Sequence, residues 1–431
     1  MDEKSFTRKL SLSDITYAAS GYRFSHDNQL ICQLVVEGRG EIAEPALQQA
    51  ARDLALSCPA LRSRLKGFWI AKYWTSRGPL PRVRTLYREW DGHCQPGLEF
   101  IDTPLDLIRG PVAEIVQVIG RATYIVFRVH HAVTDGVGLM EFSRAFFNVL
   151  NGKSVDAFDS KVRLEDLPGG NIEAIPASVL DAAIPYTLRS SEADTGDSDV
   201  SLDRSRHWRL ISVPGADNKI LMKVMLAIAE QARGDSKQAV RINMPVSLRR
   251  HIPQERSLAN LIGMLRIDIA PGDDFKILLT KIKQAMAQKQ ELPIAVNSLT
   301  SKLAFVLPFM LLRLLEKKAI QALLSRPRFR CSGTASHIGH VDLEAYSNDV
   351  FTAKRVYGIP VPPLGTPLMA VMVNNHKSTE IVVSANRTLI SDHTMDELVE
   401  RLQSLIDGYG KHSMSTHRNA GSKRKSRRNS L

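Results

Sequence analysis

Apolar and polar positions along this chain repeat with two periods, and the change from one to the other marks out its elements. From Thr123 to Val129 the residues are β-branched and aromatic. Ile125, Phe127 and Val129 fall on one face and Tyr124, Val126 and Arg128 on the other, as the period of two in a strand requires. Beyond Asp135-Gly136 the period lengthens, and Leu139, Met140, Phe142, Phe146, Phe147, Val149 and Leu150 recur at helical spacing. The pattern predicts a strand, a sharp corner and a helix. The same reading predicts a hairpin of Val112–Ile119 and Thr123–Val129 turning at Gly120-Arg121. It predicts further strands at Gln29–Val36, Trp208–Val213, Ala239–Met244, Gly263–Ile269, Leu368–Asn374 and Glu380–Ala385. Helices are predicted at Glu44–Leu56, Ala177–Leu188, Lys219–Ala232, Lys276–Gln290 and Asp392–Ile406.

Strands alternating with helices in both halves define an α/β class, and 431 residues exceed what one core usually supports. Two units are expected, at 1–165 and 206–410. A loop-rich crossover over 166–205 joins them, containing Pro168-Gly-Gly170 and the acidic run Glu192 to Asp199. Residues 411–431 carry Ser, Asn, Gly, Lys and Arg without large apolar side chains, which predicts a disordered basic tail.

Charge changes the picture little. The net +12 would draw attention to nucleic acid, but seven of those charges (Lys411, Arg418, Lys423, Arg424, Lys425, Arg427 and Arg428) lie in the tail, leaving about +5 on the body. Nucleic acid is therefore a secondary reading, carried by the tail alone. Cys32, Cys58, Cys94 and Cys331 form no CxxC pair or zinc-like spacing, and read as thiols of a reducing compartment. The first residues contain no apolar stretch of signal-peptide type, so a cytoplasmic location is expected. From Lys302 to Leu324 an apolar pattern with Arg313, Lys317 and Lys318 suits a helix packed on a domain, which is the favoured reading, or one lying peripherally against lipid. No metal site is expected: His337 and His340, or His376 and His393, lack the carboxylate and spacing of a zinc helix. No GxSxG, GxxxxGK[ST] or GxGxxG occurs.

The corner holds the candidate chemistry. His130 and His131 are followed three residues later by Asp135 and Gly136, and with 12 His and 26 Gly a chance HHxxxDG is on the order of one in a thousand. An isolated buried histidine is usually a satisfied core residue, but here the pair closes an apolar strand. His131 falls on the Ile125–Phe127–Val129 face, where desolvation keeps imidazole neutral near pH 7 and usable as a general base. His130 faces the other way and reads as support of the strand at least as readily as chemistry.

The spacing HHxxxDG resembles the signature of the coenzyme A-dependent acyltransferase superfamily, which includes chloramphenicol acetyltransferases, condensation domains and wax ester synthases. Flanking segments agree in order: Cys58-Pro-Ala-Leu-Arg62, Asp106 to Gly110-Pro111, Met244-Pro-Val-Ser-Leu-Arg249 and Ser257-Leu-Ala-Asn260. No DFGWG segment is found, which argues against a plant BAHD enzyme.

The resemblance implies two chloramphenicol-acetyltransferase-like α/β sandwich domains with a tunnel at their interface. It implies an acyl thioester donor, on coenzyme A or a carrier protein, and a hydroxyl acceptor; no cofactor is held. The alternatives are an amide-forming enzyme with an amine acceptor and a non-catalytic condensation-like binding protein. In the family the aspartate turns from substrate to an arginine; here that makes Asp135 a scaffold residue, with Arg249 its first candidate partner and Arg62 the second. Where wax-ester-type members show a Ser-Asn strand, this chain has Ser332 to Gly339, with His337 at the Asn position, so Thr334, Ser336 and His337 are candidate oxyanion or tunnel residues.

Overall fold

The computed structural model describes residues 6–20, 30–67, 72–93, 99–158, 161–167, 184–185, 206–215, 219–234, 237–252, 256–292, 299–324, 328–329, 331–363, 366–386 and 390–407. Among them two sheets dominate. The first has the order Phe351–Ile359, Ile31–Gly40, Thr123–His130, Ala113–Ile119, Arg82–Tyr87, antiparallel except for the last pair. The second runs Ile262–Ile269, Val240–Ser247, Gly333–His340, Leu368–Asn374, Ser378–Asn386, Arg206–Pro214. Its pairings on both sides of Gly333–His340 are parallel. The predicted strands and the helices over Glu44–Ser57, Gly136–Leu150, Ile220–Arg233, Phe275–Ala287 and 392–407 are all present, with ends shifted by a few residues.

Three apolar layers hold these elements. Ile125, Phe127 and Val129 on one face of the histidine strand pack under the helix Gly136–Leu150, where Phe127 meets the rings of Phe142 and Phe146 edge-on at 5.3 and 5.4 Å. Truncating Phe127 to Ala is expected to cost about 3–5 kcal/mol through lost burial and the cavity left behind. A second layer forms where Ile220–Arg233 and helix 392–407 cover the second sheet. The third joins the sheets. Tyr124 and Val126, from the opposite face of the histidine strand, cluster with Trp208 and Val382 of the second sheet. Arg128 shares that face; burial pushes its guanidinium down to about 10 against the upward pull of Glu114, with which it pairs, and it also donates to the Ile101 carbonyl at 3.2 Å.

Two features depart from the expectation. The strand Phe351–Ile359, late in the chain, is built into the first sheet and also lies against Leu368–Asn374 and Ser378–Asn386. The expected helix at Ala177–Leu188 is contradicted where it can be seen: Ile184–Pro185 pairs antiparallel with Arg328–Phe329. Pro185, which lacks an N–H and crowds the preceding turn, is unsuited to a helix interior. The rest of that segment, the acidic run and the basic tail lie outside the described residues. Lys302–Leu324 divides into Leu299–Val306 and Phe309–Leu324, with Pro308 at the break. No described helix is long and apolar enough to cross a membrane.

Candidate active site at the histidine corner

The strand Thr123–His130 ends because Asp135 opens the following helix. Its backbone is extended and its Oδ1 accepts the Gly138 N–H at 2.8 Å, satisfying one of the unpaired donors of a helix start. The other oxygen, Oδ2, accepts from Arg249 Nη1 at 2.9 Å and from the Leu261 N–H at 2.8 Å. Asp135 is buried, and both of its carboxylate oxygens accept from protein donors. Arg249 follows the strand Val240–Ser247 and also donates to the carbonyls of Ser257 and Ala259 at 3.1 and 2.8 Å. One guanidinium thus gathers the loop 257–261 under the histidine corner. Arg62 lies elsewhere, donating to the Gly78 carbonyl at 3.2 Å.

That loop places Asn260 against His131. Asn260 Nδ2 donates to the His131 backbone carbonyl at 2.6 Å, which leaves Oδ1 facing His131 Nδ1 at 3.1 Å. A carbonyl only accepts, so the amide orientation is fixed and Nδ1 carries the proton. Nε2 is then the basic nitrogen. Burial pulls the His131 pKa below its ordinary value, while Asp135 and Asn260 pull it up, so the ring is neutral at pH 7. Tyr17, on the helix Leu12–Ser20, stacks on the imidazole with centroids 3.9 Å apart and planes 14° apart.

His130 is fully buried on the other face. Its Nδ1 accepts the Ala132 N–H at 3.1 Å, and burial pushes its pKa down to about 3. This arrangement supports the turn. His131, by contrast, lines a cavity of about 430 Å³ bounded by both sheets. Asp135 and Gly136 line it from the first unit; Thr334, Ser336 and His337 line it from the strand Gly333–His340. Burial lowers the His337 pKa, opposed by its bond with Asn374. Among the described residues no group of three His, Cys, Asp or Glu is placed to hold a metal.

Sequence reasoning named Asn260 without giving it a task, and missed Tyr17 and Gly138. Gly138 has a local cause: a Cβ there would lie 2.4 Å from Thr134 Oγ1 and 2.8 Å from the Leu258 carbonyl oxygen. The helix start can approach loop 257–261 only because that side chain is absent. The extra glycine after Asp-Gly was the available signal; for Tyr17 there was none.

No family model matches the chain, and no curated protein matches it in sequence. Solved structures do. The starter condensation domain of rhizomide synthetase in complex with C8-CoA matches with a TM-score of 0.63 at 14% identity, covering 93% of this chain and 94% of that one. The condensation domain of a monacolin K polyketide synthase matches at 0.59 and 11%, covering 94% and 97%. The first condensation domain of the CDA synthetase matches at 0.58 and 13%, covering 94% and 96%. The chain therefore has the condensation-domain fold, with two chloramphenicol-acetyltransferase-like α/β lobes.

Proposed function

We propose that this protein transfers an acyl group from a thioester, on coenzyme A or a carrier protein, to a nucleophilic acceptor, with His131 as general base. The observation that carries the reading is the tautomer: Asn260 holds the proton on Nδ1, leaving a neutral basic Nε2 on a residue that lines the inter-sheet cavity. His131 takes the acceptor proton as the acceptor attacks the thioester carbonyl. The carbon–sulfur bond breaks, and the departing thiolate leaves as the thiol once it receives that proton. Such a base contributes about 10² to 10⁴ in rate. Positioning both substrates in one cavity supplies much of the rest. Asp135 and Arg249 keep the corner in shape, and Thr334, Ser336 and His337, which line the same cavity from the facing strand, are the candidates for meeting the developing oxyanion or for shaping the tunnel.

A hydroxyl acceptor, giving an ester, is the first reading. Amide formation with an amine acceptor is the second, favoured by the fold shared with condensation domains, one solved with C8-CoA and Leu-SNAC. A thiol-release assay across acyl-coenzyme A chain lengths, with pooled alcohols and amines, tests both. Acceptor-dependent release that disappears in His131→Ala is expected. Ligand binding without release under any pairing would replace the enzyme with a binding protein.

A further inference from the structure

Outside the cavity, the helices Leu299–Val306 and Phe309–Leu324 carry an unusual distribution of apolar residues. Leu303, Val306, Met310, Leu311, Leu314 and Leu315 are between 40 and 62% exposed, and they are six of the twelve exposed large apolar side chains among the described residues. On the second helix, positions 310, 311, 314 and 315 lie at spacings of one, three and four, so they form one outward stripe that ends at exposed Lys318. The inward side is occupied as well: Phe309 is buried in the first core, with Ala304, Phe305 and Leu312 packed against it. The pair is apolar on both sides.

It is also held in place. Lys72 donates to the carbonyls of Ala304, Phe305 and Leu307 at 3.2, 3.2 and 2.6 Å, and its ammonium sits 5.0 Å from the Phe309 ring centroid. Carbonyls released at the Pro308 break are thus capped by one cation. Charge along this stretch of the sequence is one-sided. Residues 299–330 contain seven Lys and Arg against the single acid Glu316, and outside this segment and the tail the chain is within one charge of neutral. A second copy meeting this face through the same face would bring like charges together.

We propose that the outward face of these two helices docks on an anionic phospholipid surface, the apolar stripe entering the headgroup–acyl boundary and the basic residues meeting lipid phosphates. The helix Leu12–Ser20 packs against both members of the pair. Docking would therefore bring the bilayer within one helix layer of Tyr17 and His131.

The test is co-sedimentation of the full-length protein with vesicles of phosphatidylcholine alone or mixed with phosphatidylglycerol. Partition to the mixed vesicles alone, weakened by salt, is expected. Met310→Glu/Leu314→Glu should lower it at least about tenfold with an unchanged melting temperature, and Lys318→Glu by severalfold. Lys318→Glu replaces one exposed head group and keeps the test decisive if the double variant misfolds. Equal binding by wild type and variants, equal partition to neutral vesicles, or loss only on deleting residues 411–431 overturns the proposal. So does a concentration-dependent dimer that Met310→Glu/Leu314→Glu abolishes.

Discussion

Two strand ends meet beside the cavity, and they contribute differently. In the proposed reaction the end of Thr123–His130 supplies the imidazole that acts as base, and the turn after it supplies the carboxylate that opens a helix. The end of Val240–Ser247, with the segment that follows, supplies support to that corner. Its Arg249 and Asn260 bind the first corner's carboxylate and imidazole. On the proposed function the first corner carries the chemistry, while the second corner's bonds to it hold the imidazole and the carboxylate in place. A site of this kind depends on both sheets although the reacting group sits on one.

The strongest challenge to this division of labour is to cut the ion pair. Arg249→Ala should cost about 3–5 kcal/mol in denaturant unfolding, because it strands a buried carboxylate, and Asp135→Asn should lower stability and activity together. If both single variants lose less than about 1 kcal/mol, the second corner is not a clamp. Next in size, His131→Ala should reduce transfer at least about 10²-fold while the melting temperature moves little. Near-normal turnover by that folded variant would take the chemistry away from the first corner.

Acid separates the two histidines. Since burial holds the His131 pKa below 6.5, activity should be level at neutral pH and fall as the pH drops through that lowered value. Tyr17 stacks on the ring from one helix, Asn260 meets its Nδ1 from loop 257–261, Cys32 lines the same cavity from the neighbouring strand, and the charges of Asp135 and of the neighbouring His130 couple to it through space. Tyr17→Ala admits water to the imidazole, so the acid limb should move up towards 6.5, whereas Tyr17→Phe keeps the stacking and should restore the wild-type profile. An unshifted limb in Tyr17→Ala would deny the stacked ring any part in holding the base neutral. For His130 the readout is stability. With a folded pKa of about 3, it binds a proton only in the unfolded chain between about pH 6.5 and 3. Stability should fall by up to about 1.4 kcal/mol per pH unit as the pH drops through that window, and His130→Ala should remove that slope with a milder loss of turnover than His131→Ala. The smallest effect is expected from deleting residues 411–431, which should leave the fold intact and turnover of a soluble acceptor within about twofold. Loss of transfer in that protein would show that a third region belongs to the working site.

Much of the first corner was legible because its cause is local. A period-two run, a helix-capping aspartate and two histidines at fixed spacing are written within a few residues. The second corner was legible only in part. Arg249 was found through resemblance, but the bond from Asn260 to His131 depends on a contact between distant segments that no periodicity encodes. Tyr17 was unreadable for the same reason. The strand Phe351–Ile359 escaped because its register shifts between Ala353 and Arg355, so the buried positions lose the strict alternation on which strand reading depends.

That late strand bears on the order of synthesis. When the ribosome has made the histidine strand and its helix, the strand Ile31–Gly40 already has one neighbour, but its other edge waits for residues near the far end of the chain. An open edge is a template for wrong pairing. A nascent or truncated first half should therefore be the species that chaperones hold and that aggregates in overexpression. Release from that hazard comes only with translation past Ile359, the last residue of the strand that closes the edge.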